Sequence, residues 1–365
     1  MIIKSIKLKN YKNLDLELDF NDQLNLIVAP NGTGKTNLLE AINYLADGSS
    51  FRAIGDEYIM PENKKGSSIS SVIVGDIFQD SGVGFGLRVA WHFPAGEKNY
   101  FFNEKKSNLQ KFKRNFHTTV HAPASMDVVS GPSSNRRQFL DRSLQNLRPG
   151  LKQTFSDFRK ALTQKNRLLG ALAAGKITLG NARTQLPFWN EKLVQFGDKI
   201  TQERLTLLET IKPFLEEIAG EVYHLDEFKL EYIRETKGDF KEIFAGNMEK
   251  ELVVGRCLYG AHKDSYEFLL NGKDIRNASS RGQQRLFSLI LHLAVAKLVD
   301  SEREELGVLL LDDIFSELDP EHRSKTMNYL IKGNESGEIG QIFITSPDER
   351  DLKTTKLRES ILSLY

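Results

Sequence analysis

Two stretches of this chain carry residue types and spacings suited to phosphate chemistry. The first is Ala29-Pro30-Asn31-Gly32-Thr33-Gly34-Lys35-Thr36, which follows the apolar run LNLIV and precedes Leu38, Leu39, Ile42 and Leu45 at helical spacing. A strand, a glycine loop and a helix in that order make a phosphate-binding loop. Gly32 and Gly34 let the backbone curl so that its N–H groups face phosphate oxygens. Lys35 supplies a point charge for the β- and γ-phosphates, and Thr36 offers a hydroxyl to Mg²⁺. The first glycine of GxxxxGK[ST] is here Ala29, which is tolerable if that residue avoids positive φ. The second stretch is GVLLLDD, where four apolar residues end in Asp312 and Asp313. A carboxylate at a strand's carboxyl edge beside a phosphate loop holds Mg²⁺ through water, which suits Asp312. Asp313, next to it, is placed to orient or deprotonate an attacking water. The competing reading is two carboxylates capping the helix that follows.

These residues need elements to hold them. IIKSIKLKNY and LNLIVA read as strands, 72–102 as further strand, and 61–68 as a surface loop. From about 135 to 224 the pattern turns helical. Leu151, Phe155, Phe158, Leu162 and Leu169 form one apolar stripe; Trp189, Leu193, Phe196, Ile200, Leu207, Ile211, Phe214 and Ile218 form a second. AAGKITLGNARTQLP between them predicts a turn, hence an antiparallel helical arm, with Pro213 kinking its second helix. Strand signals return at LDEFKLEYI, EFLLNGKDI, GVLLLDD and GQIFIT. The expected organisation is α/β, with an N-terminal head part at 1–134, a helical insertion at 135–224, and the rest of the head at 225–365.

Composition narrows the class. A 40% hydrophobic share supports a large core, and one cysteine excludes an internal disulfide. The opening MIIKSIKLKNYKNL has no apolar signal core and no stretch is long enough to span a membrane. A soluble, cytoplasmic protein with no membrane partner is expected. Net charge is only +1, yet residues 98–167 hold 15 Lys/Arg against 4 Asp/Glu. So local an excess reads as a polyanion-facing surface, against the alternative of a solvated face. Its densest group is Lys105, Lys106, Lys111, Lys113 and Arg114, with Lys4, Lys7, Lys9 and Lys12 next in line. His117 and His121 lack a carboxylate or cysteine cluster and read as surface histidines; Cys257 reads as a packed core residue.

A third polar cluster, Ser279-Ser280-Arg281-Gly282-Gln283-Gln284-Arg285, opens a helical apolar pattern. Such a helix start is either an anion site or a plain N-cap. Ser280-Arg281-Gly282-Gln283 resembles the Ser-x-Gly-Gln signature of ABC-type ATPases. In that superfamily the signature serine faces the γ-phosphate held by the other subunit of a head-to-tail dimer. Ser316-Glu317-Leu318-Asp319 resembles the D-loop that crosses the same interface. The resemblance implies that Ser280, Gly282, Gln283 and Asp319 meet ATP bound to a second copy of the chain.

The remaining blocks are similar to those of the RecF family: IKLKNYKNL, GSSFRAIGDEYI, SGPSSNRRQFLDR with Arg136, Arg137 and Asp141, LTQKNRLL, GAHKDSYEF, ASSRGQQR and LLLDDIFSELD. They run nearly end to end and in order. Ala29, Ala261, Lys263 and Ser265 depart from the family pattern, as in a diverged member. Ile344-Thr345-Ser346 carries only hydroxyls where transporters have a switch histidine, and Asp313 stands where transporters use Glu. The resemblance implies an ABC-type, SMC-like P-loop ATPase head with an inserted antiparallel helical arm. It further implies ATP and Mg²⁺ as cofactors and an ATP-dependent homodimer that clamps duplex DNA and single-strand/duplex junctions. Weak, DNA-stimulated hydrolysis would release the DNA, and RecR and RecO would help load RecA at gaps. An SMC head would need far longer arms or a zinc hook, and a transporter subunit a switch histidine. A RecF-like defence ATPase would normally carry a fused nuclease.

Overall fold

The computed structural model describes all residues except 53, 54, 65, 66, 224–227, 317, 348–360, 364 and 365. The chain divides into two compact units. One holds Met1–Met126, Glu217–His224 and Ser280–Tyr365; the other holds Asp127–Glu216 and Leu225–Ser279. This differs from the linear division expected from sequence, because residues 225–279 pack with the helical insertion rather than with the head.

The first unit is built on two sheets with a helix between them. An antiparallel sheet runs in the order Leu14–Asp19, Ile2–Tyr11, Ile69–Phe78, Gly84–Phe93, Glu97–Phe102, Lys105–Ser107. Its alternation is plain in the first strand, where Ile6 and Leu8 are buried while Lys7 and Lys9 are exposed. A parallel sheet runs Ile361–Ser363, Leu24–Val28, Ile342–Ser346, Val308–Leu311, Thr118–His121. Leu24–Val28, Val308–Leu311 and Ile342–Ser346 are buried throughout, as unbroken apolar runs in a two-sided sheet should be. Helix Lys35–Asp47 lies in one hydrophobic cluster with Ile6, Ile73 and Trp91 of the antiparallel sheet and Ile27, Leu310 and Phe343 of the parallel one. Each such buried aliphatic side chain contributes about 1.5–3 kcal/mol, so the helix that begins at Lys35 is held rigidly.

The second unit holds helices Ser133–Leu147 and Leu151–Ala173, most of Leu179–Tyr223, and a small sheet ordered Lys273–Asp274, Ser265–Leu270, Phe228–Ile233. Phe158 lies against Gly197, and Leu169 clusters with Leu186, so the two long helices run antiparallel. The turn between them is shorter than the sequence suggests. Helix begins again at Leu179 and continues for 45 residues through both Pro187 and Pro213. Apolar packing on Leu193, Ile200, Leu207 and Ile211 outweighs the missing N–H groups.

Several cations of the basic stretch are spent inside this unit. Arg136 is 2% exposed and donates to the Gly131 carbonyl. Lys165 is fully buried and 2.6 Å from Glu251. Arg137 donates to the Asp264 carbonyl, and Asp141 takes two bonds from Arg204 at 2.8 Å. Residues 98–167 fall in both units, and part of their charge is internal. Cys257 is buried, as expected, and burial pushes its thiol up to about 12. The surface reading of His117 and His121 is corrected. His117 is buried with its Nε2 2.9 Å from Asp300, and His121 packs edge-on against His292.

Candidate nucleotide site

The parallel strand order brings the chemistry together. The loop after Leu24–Val28, the end of Ile342–Ser346 and Asp312 after Val308–Leu311 all lie at the carboxyl edge of one sheet, in that spatial order. Ala29 is buried and is absent from the positive-φ residues, which meets the condition for a methyl group there. Gly32 and Gly34 take φ of 88° and 112°, where a Cβ would be strained. The Lys35 ammonium folds back onto the loop, donating to the Ala29 carbonyl and, at 3.0 Å, to that of Pro30. Desolvation lowers its pKa, opposed by Asp313 and Asp312.

Asp312 is 3% exposed, and one of its oxygens collects two hydroxyls. Thr36 Oγ1 donates to Oδ1 at 3.1 Å and Thr345 Oγ1 at 2.7 Å. Thr345 sits on the strand between the loop strand and the Asp312 strand, so one side chain ties both halves of the site. Hydroxyl and carboxylate oxygens in contact are a fitting donor pair for Mg²⁺, which keeps waters and phosphates as its other ligands.

Asp313 takes a φ of 50°, unusual for any residue but glycine. Its N–H donates to Thr345 Oγ1 at 2.9 Å, and its carbonyl accepts from Arg285, which holds the turn. Its buried Oδ1 accepts no hydrogen bond among the described residues. Burial raises its pKa, against the pull of Ser316 and Arg285, with Asp312 raising it further. A partly desolvated carboxylate with a spare acceptor can bind and polarise a water.

The residues that resemble a signature and a D-loop stand differently. Ser280 caps helix Arg281–Arg303 in a capping box: its Oγ accepts from the Gln283 N–H at 3.3 Å, and Gln283 Oε1 accepts from the Ser280 N–H at 2.8 Å. Ser280 and Gln283 are exposed, and Gly282 lies between them. Asp319 is exposed and caps helix Pro320–Glu335, accepting from the His322 N–H at 3.0 Å. Glu317 lies outside the described residues.

Among the basic candidates, Lys105, Lys106, Lys111 and Arg114 are exposed, while Lys113 pairs with Asp47 at 2.7 Å. Lys4 pairs with Asp22, Lys7 with Glu17 and Lys12 with Glu40, so the N-terminal group offers less surplus charge. Sequence reasoning passed over Arg285 and Asn13 as site-supporting residues. Both act across long sequence separations, and only their strand–helix placement reveals them.

The family model for the RecF/RecN/SMC N-terminal domain matches residues 2–363. The DNA replication and repair protein RecF of Bacillus cytotoxicus is 30% identical over 99% of this chain and 95% of its own length. That of Bacillus mycoides is 30% identical over 99% of this chain and 96% of its own. The chain belongs to the RecF family. A solved structure described as the recombination mediator protein RecF-ATPrS in the RecFOR pathway matches this RecF-family chain with a TM-score of 0.79 and 26% identity. It covers 96% of this chain and 93% of that one. An Smc head domain from Pyrococcus furiosus matches with a TM-score of 0.56 at 14% identity, a likeness of fold alone. The fold is accordingly the ABC-type, SMC-like α/β ATPase head with a helical insertion. No described helix is long and apolar enough to cross a membrane.

Proposed function

We propose that this chain is an ATP-switched DNA-binding ATPase of recombinational repair and replication. The observation that carries the reading is the bond from Thr36 to Asp312 beside an internally tied Lys35, with Ser280 and Asp319 left exposed on the same unit. Support also comes from RecF relatives named for DNA replication and repair, and from solved RecF structures with ATP in the RecFOR pathway. The loop from Ala29 to Gly34 cradles the phosphates through its N–H groups, and Lys35 turns from the loop carbonyls to meet them. Thr36 and Asp312 hold Mg²⁺, which when bound neutralises phosphate charge. Asp313 accepts a proton from the water it orients. Its short side chain suits slow, DNA-stimulated turnover, which fits a switch better than a motor.

Ser280, Gly282, Gln283 and Asp319 act in trans, on nucleotide held by a second copy in a head-to-tail dimer. That dimer clamps duplex DNA at single-strand gaps, through phosphate contacts largely independent of sequence. There it works with RecR and RecO to promote RecA loading, as a cytoplasmic protein. The test is DNA binding and molecular mass measured with ATP, with ADP and without nucleotide. Dimer mass and tight DNA binding are expected with ATP alone; the same mass and affinity in all three conditions would sink the switch.

A further inference from the structure

A line of hydrogen-bonded side chains leads out of the phosphate loop. Asn13 lies in the turn between Ile2–Tyr11 and Leu14–Asp19, and its Nδ2 donates to the Thr33 carbonyl at 3.1 Å. Its Oδ1 accepts from Asn37 Nδ2 at 2.6 Å, and Asn37 Oδ1 accepts from Arg52 Nη2 at 2.7 Å. Arg52 is anchored in turn 3.4 Å from Glu40, a fully buried carboxylate that also holds Lys12. Every bond runs the same way, so the Asn13 amide has one orientation.

Thr33 sits between the two loop glycines with positive φ. Glycine accepts either sign of φ, so the peptides there are the cheapest in the loop to flip. In a trans peptide the C=O and N–H point in opposite directions. Holding the Thr33 carbonyl toward Asn13 therefore turns the Gly34 N–H away from the hairpin. The fit is close: a Cβ on Gly34 would lie 2.7 Å from Leu14 Cδ2 and 3.0 Å from Asn13 Nδ2.

We propose that Asn13 is a positioning residue of the nucleotide site. It fixes the Thr33–Gly34 peptide with its N–H toward the phosphates, and Asn37 and Arg52 fix Asn13. This rests on the reading of the loop as an ATP site. The experiment titrates mant-ATP with Mg²⁺ into wild type, Lys35→Ala, Asn13→Ala, Asn13→Asp, Arg52→Ala and the Asn13→Ala/Arg52→Ala double variant. Asn13→Asp is nearly isosteric and keeps the acceptor for Asn37 but cannot donate to Thr33; the uncharged Asn13→Ala separates loss of that donor from the repulsion a carboxylate adds beside the loop. Both Asn13 variants are expected to bind about 5- to 10-fold more weakly, the worth of one net hydrogen bond. KM for ATP should rise by the same factor with kcat within about twofold, because the hydrogen bond serves ground and transition states alike. Since Arg52 acts through Asn13, the double variant should bind no more weakly than Asn13→Ala. Wild-type affinity in both Asn13 variants, while Lys35→Ala loses binding, overturns the proposal; full additivity in the double variant overturns the Arg52 relay. Absence of mant-ATP binding by wild type would instead overturn the ATP-site reading beneath it.

Discussion

Lys35 and Asp312 are buried and bonded to groups of their own chain, whereas Ser280, Gln283 and Asp319 stand exposed at the starts of two helices. The buried half is preorganised: two hydroxyls hold the Asp312 carboxylate and two loop carbonyls hold the Lys35 ammonium, at the carboxyl edge of a sheet. The exposed half satisfies itself with capping bonds, each worth about 1 kcal/mol and cheap to exchange. On the proposed reading, a single chain completes the first part and a second copy of the chain engages the other.

Several substitutions test that contrast, and the largest effect belongs to the buried half. Asp313→Asn should slow ATP hydrolysis by about 10²–10⁴-fold, the usual worth of a general base. ATP-dependent dimers on DNA should persist, while Asp312→Asn should weaken Mg²⁺-dependent nucleotide binding instead. Identical phenotypes would mean the two carboxylates have no separate roles. The same residue sets a pH dependence. Asp313 must be ionised to act, and burial raises its pKa, so activity should fall on acidification at a pH above the ordinary carboxylate range. An acid limb at the ordinary carboxylate value would remove Asp313 from the base role.

Lys35→Ala comes next. Losing a charge-assisted hydrogen bond of about 1.5–3 kcal/mol should abolish ATP-dependent dimerisation at ordinary ATP concentrations. The fold should survive, since the helix behind Lys35 is held by its apolar neighbours; normal dimerisation in this variant would displace the site.

Ser280→Arg tests the exposed half. It should block the ATP dimer yet leave monomer nucleotide binding within a few-fold of wild type, as a surface change away from the buried bonds. Mixed with Lys35→Ala, it should recover part of the ATPase activity absent from either alone, because one composite site then carries both lesions and the other neither. Loss of nucleotide binding by the Ser280→Arg monomer would place Ser280 in cis and erase the contrast.

The smallest effect is expected at the basic edge. Replacing Lys105, Lys106, Lys111, Lys113 and Arg114 by Ala should weaken DNA binding alike for all sequences. Removing a cation that neutralises one phosphate should flatten the log–log salt slope by about 0.9. Lys113, already paired with Asp47, should matter least. An unchanged slope would move the DNA surface elsewhere.

Legible in the sequence were the features that lie within one strand, loop and helix. The spacing from Ala29 to Thr36, the apolar run ending at Asp312 and the cap at Ser280 are local, set by helix and strand periods and by glycine's freedom of φ. The two apolar stripes likewise announced an antiparallel helical pair. Tertiary structure alone decided what meets across the fold. Thr345 reaches Asp312 because the strand order places its strand beside that of Asp312, and Arg285 and Asn13 steady loops far from them in sequence. It also decided that Arg136, Lys165, His117 and His121 are interior groups, though their types and spacing suggest a surface. Periodicity reports which way a side chain points along its own element. The partner waiting there depends on how strands order and helices cross, and that is settled only when the chain packs.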